Sequence, residues 1–394
     1  MKKILLVTER FWPEEFIVND LAAEAARRGN QVTVLTQQPS YPYGRMPRGY
    51  RNATLSRERW KGINVVRFKT VLGYRDSLFY KLLNYFWFAF WGSLVALALK
   101  NKFDSVLIYQ TGPLTMSIPG IVYGKARRVP LTIWTQDVWP DSVYAYGFRK
   151  SSFLSRALDA FVGWVYGSMD AILVSCRGFI GILGRYTNTQ AIYAPNWPLS
   201  PYEEPAAISQ RSEIPLFLFA GNVGKVQNLE NVIKGYAAAC KDSAFKGTLR
   251  IVGDGSALEL LRLLAETLGV QVEFAGRKHS STMSEEYAQA DFLILPLDDK
   301  PVFRLTVPSK FQMYLSVGKP ILCAAEGEVR ELVRDLRLGV DADANSADSI
   351  ARAFKRLAGA QDGEVKEWGK NAAAAFEGAF NRTQIIDTIL VTMA

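Results

Sequence analysis

The stretch FIVNDLAAEAARRGNQVTVLT, residues 16–36, decides the fold. Its first half has the apolar period of an amphipathic helix, Gly29 ends that helix, and Val32 to Leu35 read as a buried strand. Ile4 to Val7, just ahead, form another short apolar run, so the start of the chain is a β-α-β unit. The same alternation continues. INVVRF, DSVLIY, PLTIWT, MDAILVS and AIYAPN read as short buried strands, with helical stretches around 113–126, 152–168 and 177–186 between them. Strands alternating with helices predict a parallel, doubly wound sheet.

WPLSPYEEPAAISQRSEIP, residues 197–215, is rich in Pro, Ser and Glu without a sustained apolar period, and reads as a linker. A second alternation follows it. LFLFAGN, TLRIVGDG, VEFAGR, DFLILPL and PILCAA are the expected strands, with helices near 228–240, 256–267, 283–289, 309–317 and 328–335. Two helical stretches, about 346–358 and 363–392, close the chain. The expected architecture is therefore α/β, two Rossmann-like doubly wound domains facing a central cleft. The expected boundaries are 1–200 for the first, 214–375 for the second, and 376–394 for a C-terminal helix packing back on the first.

With 394 residues, 49% of them hydrophobic, the chain can build two cores and is too apolar to be disordered. Its formal net charge of +9 favours negatively charged partners: nucleic acid, an anionic membrane surface or a phosphorylated small molecule. Cys176, Cys240 and Cys323 lie far apart and His279 is the sole histidine, which excludes a disulfide framework and a histidine-rich metal site. A reducing compartment fits. MKKILLVTERFWPEE begins with basic residues and an apolar run too short for a signal-peptide core, so it reads as a first strand.

YKLLNYFWFAFWGSLVALALKNK, residues 80–102, breaks the pattern. It is apolar for about fifteen residues with lysines on both flanks, short of the roughly 20 needed to cross a bilayer. Two readings stand: a fully buried core helix, or a helix that lays Phe86, Trp87, Phe90 and Trp91 in a membrane interface.

Ligands of open parallel sheets bind beyond the carboxyl ends of the strands. There, FAGNVGK (219–225) offers Gly221, Asn222, Gly224 and Lys225, with glycines that let the backbone approach a phosphate. AGRKHS (275–280) offers Arg277 and Lys278, and TVPSKFQMYLSVGKP (306–320) places Lys310 in the first turn of a short helix. In that helix Ser309 is the expected cap and Gly318 the residue past its end. Three basic loops on the strand ends of one half suggest a diphosphate. Neither G-x-G-x-x-G nor a P-loop is present, so a nicotinamide dehydrogenase and a P-loop NTPase are not supported. In the first half, WTQDVWPDS (134–142) sets Asp137 and Asp141 among tryptophans, and ERFWPEEFIVND (9–20) carries Glu14, Glu15, Asn19 and Asp20 at the end of the first strand. LDDKP (297–301) lacks the further ligands a metal site needs.

FWPEEFIVNDLA, QQPSYPYG, WTQDVWPDS, APNW, FAGNVGKVQNLE, VGDGS and VPSKFQMYLSVGKPIL together resemble the retaining glycosyltransferases of family four with the GT-B fold. The resemblance is to the bacterial subgroup that assembles O-antigen and capsule, and it covers nearly the whole chain. It implies transfer of a sugar, of the N-acetylfucosamine type, from a nucleotide diphosphate donor, UDP in the first place, to a polyprenyl-diphosphate-linked glycan. It implies a donor held by the second half through Gly221, Asn222, Gly224, Lys225, Arg277, Lys278, Ser309 and Lys310, with no metal and no other cofactor. The lipid-linked glycan then approaches the first half, where Glu14 and Asn19 stand on the acceptor side, and the protein sits in the cytoplasm, peripheral on the inner face of the inner membrane.

Two departures matter. Many relatives carry two glutamates separated by seven residues, the second five before the glycine of G-K-P; here Leu305 and Met313 occupy those positions, and Glu328 is the substitute for the ribose contact. The histidine common in the first half of relatives is missing, which leaves Asp137 beside Lys310 as the catalytic candidates. Two other readings remain at this point: a nucleotide-sugar 2-epimerase of similar architecture, and a non-enzymatic basic polyanion-binding protein. Against the second, the positive residues are spread over separate loops rather than along one face, so nucleic acid is not an expected partner.

Overall fold

The computed structural model describes residues 1–74, 77–140, 152–199 and 213–393. The chain divides into two compact units, Met1–Pro195 with Arg382–Ala394, and Asn196–Asn381. Most of the 197–215 stretch, and Asp141 and Ser142, lie outside the described residues.

The first unit is an eight-stranded sheet of β1 (Lys3–Thr8), β2 (Gln31–Gln37), β3 (Leu55–Trp60), β4 (Ile63–Phe68), β5 (Ser105–Gln110), β6 (Leu131–Thr135), β7 (Ala171–Val174) and β8 (Ala191–Tyr193). Their order is β3-β4-β2-β1-β5-β6-β7-β8, parallel except where β3 pairs antiparallel with β4. The helix Ile17–Arg27 makes the first crossover, burying Ile17, Val18, Leu21, Ala22 and Ala25, and Gly29 at φ +85° turns the chain into β2. From β1 the chain steps one way to β2 and β4 and the other way to β5, β6 and β7, so the order reverses between β1 and β5. A crevice opens at that point of any doubly wound sheet. Register sets which residues line it: Val7 lies opposite Leu35, Thr8 opposite Tyr109, and Gln110 opposite Thr135.

The apolar stretch forms the helix Leu78–Leu97. The core reading fails for it. One face packs inward through Asn84, Phe88, Ala89, Gly92 and Ala96, and Gly92 lets the helix approach Pro119, whose Cγ would stand 2.7 Å from an added Cβ. The other face exposes Phe79, Phe86 and Phe90, each more than 60% accessible, with Leu83, Leu94 and Leu97 along the same stripe. Trp87 and Trp91 sit between the two faces; the Trp87 indole donates to Lys69 O at 2.7 Å and packs edge to face on Trp91. No helix among the described residues is long and apolar enough to cross a membrane.

The second unit is a six-stranded, wholly parallel sheet of β9 (Leu216–Ala220), β10 (Thr248–Val252), β11 (Val272–Gly276), β12 (Phe292–Pro296), β13 (Ile321–Ala324) and β14 (Gly339–Ala342), ordered β11-β10-β9-β12-β13-β14. Its core packs Phe217 against Phe292 and Phe354 with ring centroids 4.9 and 4.8 Å apart. Here the order reverses between β9 and β12.

Two strands have no counterpart among the apolar runs. β3 (LSRERW) alternates exposed and half-buried residues at a sheet edge, and β14 is a four-residue edge strand, so neither carries the continuous apolar signal of a central parallel strand. The expected last helix is two, Asp362–Glu377 and Arg382–Thr392, broken after Gly378. Arg382 of the second binds Asp20 through two hydrogen bonds of 2.5 and 2.6 Å and ties this helix to the N-terminal unit. Asp20 is thereby part of the scaffold.

Candidate functional site

At the reversal point of the C-terminal unit, β9 runs into Gly221, β10 into Gly253, and β12 into the loop that leads to the helix Ser309–Val317. The loops are laced together: Gly221 N donates to Val252 O, Gly253 N to Gly276 O, and Val223 N to Asp254 O, all at 2.8–2.9 Å. Glycine is required at 253, where φ is +146° and a Cβ would fall 1.8 Å from Gly221 O. It is required at 221 as well. There φ is +145° and a Cβ would stand 2.4 Å from Lys310 Cε, so the bare backbone makes room for the lysine.

Lys310 lies across this glycine, its ammonium 5.0 Å from the centroid of the buried Phe219 ring and donating to Gln227 Oε1 at 2.9 Å. Among the described residues no carboxylate pairs with it, and burial pushes its pKa down to about 8. An ammonium taken out of water without a counter-ion raises the free energy of the empty protein, and an anion placed beside it relieves that cost. The helix that begins at Ser309 adds unsatisfied N–H groups at the same end. Pro308, in extended conformation, holds the N-cap position; Ser309 is already helical and exposed, so it does not cap the helix. Gly318, at φ +72°, ends it as expected.

The other residues expected on this side are placed as follows. Asn222 and Lys225 are exposed on the loop after β9, and Gly224 leads into its short helical turn Lys225–Gln227. Arg277 is exposed and makes no ion pair among the described residues. Lys278 forms an ion pair with Glu286, which also holds Arg250 at 3.2 Å, so its charge is already compensated. Glu328 is buried and opens the helix Glu328–Asp335 after Gly327. Asp298 and Asp299 pair with Lys300 and Arg304, and no cluster of metal-ligating side chains stands among the described residues.

The reversal point of the N-terminal unit is chemically different. Strand after strand ends in buried polar residues: Thr8 and Glu9, Thr36 to Gln38, Gln110, Thr135. Glu9 is central, accepting from Gln37 Nε2 at 3.3 Å and Asn84 Nδ2 at 3.4 Å, with Arg10 3.8 Å away. Beside it, Glu14 and Asn19 hold the loop that follows β1. The Glu14 carboxylate takes the backbone N–H groups of Ser40 and Tyr41, both at 2.7 Å, and burial pushes its pKa up against those two hydrogen bonds. Asn19 bridges Trp12 N and Glu14 O. The polar atoms of these two acceptor-side candidates are therefore committed to the loop. Asp137 follows β6, half-buried near the buried Tyr166 hydroxyl, whose pKa burial raises. Sequence reasoning missed Glu9, Gln37 and Gln110, although the repeated endings LLVTE, VLTQQ, LIYQT and IWTQD carry the signal.

Two family patterns match end to end: glycosyl transferase 4-like domain over residues 15–197, and glycosyl transferases group 1 over residues 203–375. The chain is 24% identical over 279 residues, 67% of its length and 68% of the other's, to a Pseudomonas aeruginosa protein named probable glycosyltransferase WbjE. In structure it is similar to the E. coli protein titled trehalose-6-phosphate bound with UDP-2-fluoro glucose, at TM-score 0.72, 10% identity, and 99% and 98% of the two chains. It is also similar to WaaG, a glycosyltransferase involved in lipopolysaccharide biosynthesis, at TM-score 0.64, 14% identity and 99% of both chains. With both domain patterns matched in order on a two-unit parallel α/β fold, the chain belongs to the glycosyltransferases with a 4-like domain followed by a group 1 domain.

Proposed function

We propose that the enzyme is a retaining transferase that moves a sugar from a uridine diphosphate donor to a polyprenyl-diphosphate-linked glycan during assembly of a bacterial surface polysaccharide. The observation that carries the donor half of this reading is Lys310, a half-buried ammonium with no carboxylate partner among the described residues, laid across Gly221 at the reversal point of the C-terminal sheet. As the donor bond breaks, negative charge grows on the leaving diphosphate. Lys310, the N–H groups of its helix and the backbone at Gly221 and Gly224 stabilise that charge without moving. Arg277 and Lys225, exposed on neighbouring loops of the same sheet end, reach for the outer phosphate oxygens, and the buried Glu328 takes the ribose. Asp137 orients the acceptor hydroxyl at the end of β6.

The surface-polysaccharide half of the reading is supported by the similarity to WaaG, and the uridine by the ligand of the trehalose-6-phosphate protein. An amino sugar of the N-acetylfucosamine type and an O-antigen or capsule acceptor follow from the sequence resemblance. The epimerase and polyanion readings gain nothing from the domain matches. A lipid-linked acceptor is confined to the bilayer surface, and the exposed stripe Phe79, Leu83, Phe86, Phe90, Leu94, Leu97 on a chain of net charge +9 supplies the attachment. Thermal shift with UDP, GDP and dTDP, followed by hydrolysis of the matching sugar nucleotides, tests the donor. UDP should raise the melting temperature most; a larger shift with GDP or dTDP contradicts the uridine assignment.

A further inference from the structure

The polar ends of β1, β2 and β5 hold more hydrogen-bonding capacity than the protein uses. Gln37 and Gln110 are at most 4% exposed, yet the side-chain oxygen of each, and the Thr111 hydroxyl next to them, bonds to nothing among the described residues. Their orientation is fixed by the other end of each amide: Gln37 Nε2 donates to Glu9, and Gln110 Nε2 donates to Gly112 O at 2.6 Å. Glu9 in turn places Oε2 beside Gly112, where an added Cβ would stand 3.1 Å away, while Oε1 takes the bonds from Gln37 and Asn84. Orphaned buried polar atoms are few in native proteins, and several converging on one crevice mark the seat of a ligand.

The chemistry of the free atoms selects that ligand. Two amide oxygens and a carboxylate oxygen accept and the threonine hydroxyl does either; of the cations near them, Arg10 stacks 4.0 Å from the centre of the Tyr41 ring and 3.8 Å from Glu9, and Arg67 is already committed to Gln37 O, Trp12 O and the Glu58 carboxylate. A phosphate would bring further acceptors to a cluster of acceptors and meet the Glu9 charge. A sugar ring brings adjacent O–H donors at the spacing such a cluster needs. We propose that the crevice between β1 and β5 is a sugar-ring subsite, with Glu9, Gln37, Gln110 and Thr111 receiving hydroxyl groups of the acceptor glycan. This assignment rests on the glycosyltransferase reading with the acceptor at the N-terminal unit, and names the residues that read it.

The experiment is saturation-transfer NMR on the full-length chain with UDP present, titrating the methyl glycosides of glucose, galactose and N-acetylglucosamine in turn. At least one glycoside should bind the unaltered chain, about tenfold more weakly the Glu9→Gln variant and about fivefold more weakly Thr111→Val, with UDP affinity unchanged in both. The Thr111 variant carries the test if Glu9→Gln disturbs folding, because that hydroxyl has no partner in the protein among the described residues. Absence of glycoside binding to a chain that binds UDP overturns the subsite. So does glycoside affinity indifferent to both substitutions, or displacement of the glycoside by inorganic phosphate. Glycoside binding that depends on Glu9 in a chain that does not bind UDP supports the subsite and removes the uridine donor instead.

Discussion

The carboxyl edges of the two sheets are built by the same strand logic and equipped with opposite chemistry. In the C-terminal unit β9, β10 and β11 end at glycine, the loops are bonded backbone to backbone, and the Lys310 ammonium stands half-buried with no carboxylate partner among the described residues. In the N-terminal unit β1, β2, β5 and β6 end in buried Glu, Gln and Thr, and the side-chain oxygens of Gln37 and Gln110 have no donor among the described residues. An edge with excess positive charge suits a diphosphate; an edge with excess acceptors suits hydroxyl groups. The difference teaches that a doubly wound sheet fixes where a ligand sits, while the residues just past each strand fix what the ligand is.

The most drastic way to break the comparison is Gly253→Ala. The methyl group would overlap Gly221 O, 1.8 Å from the new Cβ, at a φ that L-residues avoid. Backbone strain and overpacking together should cost about 3 kcal/mol or more, read as a lowered denaturant midpoint. Lys310→Met keeps an unbranched side chain beside Gly221 and removes the charge together with its hydrogen bond to Gln227. Turnover should fall about a hundredfold, while stability at neutral pH holds or rises because a half-buried ammonium with no carboxylate partner among the described residues has gone.

Replacing Phe86 and Phe90 with serine sharpens the comparison from outside both edges. Both rings are more than 60% exposed, so the fold should survive, and partition onto anionic vesicles should drop about thirtyfold with UDP affinity intact. Unfolding of this variant would assign the stripe to packing. A smaller effect is the pH dependence of UDP binding. Free Lys310 loses its proton near pH 8 and the diphosphate-bound lysine keeps it, so affinity is full below about 8 and falls by up to tenfold per pH unit above it. For folding the sign is opposite. The unfolded lysine holds its proton to about 10.5, so the penalty is full below about 8 and fades as pH rises between those values.

The C-terminal edge was legible in the sequence because its signals are local. Gly221, Gly224 and Lys225 lie within one short loop, and Lys310 stands behind a proline at a helix start. Even so, Lys278 looked the same as Arg277 in AGRKHS, and only the fold brings Glu286 to neutralise it. The N-terminal edge was far less legible. Glu9, Gln37 and Gln110 are single polar residues at the ends of apolar runs, and strand register alone makes them neighbours. Glu14 and Asn19 drew attention as chemistry-bearing types in one segment, yet their polar atoms go to the loop backbone. The helix Leu78–Leu97 is a third case: its length and apolarity were plain, but Gly92 and Asn84, two residues of weak hydrophobic signal, decide which face packs.

The measurement that bears most directly on the division of labour between the two edges is UDP affinity of the unaltered chain and of Lys310→Met at pH 7 and pH 9. The account predicts tight binding at pH 7 that weakens about tenfold at pH 9 for the unaltered chain, and weak, pH-independent binding for the variant. Equal affinity in the two proteins, or a pH response that survives loss of the lysine, would contradict it.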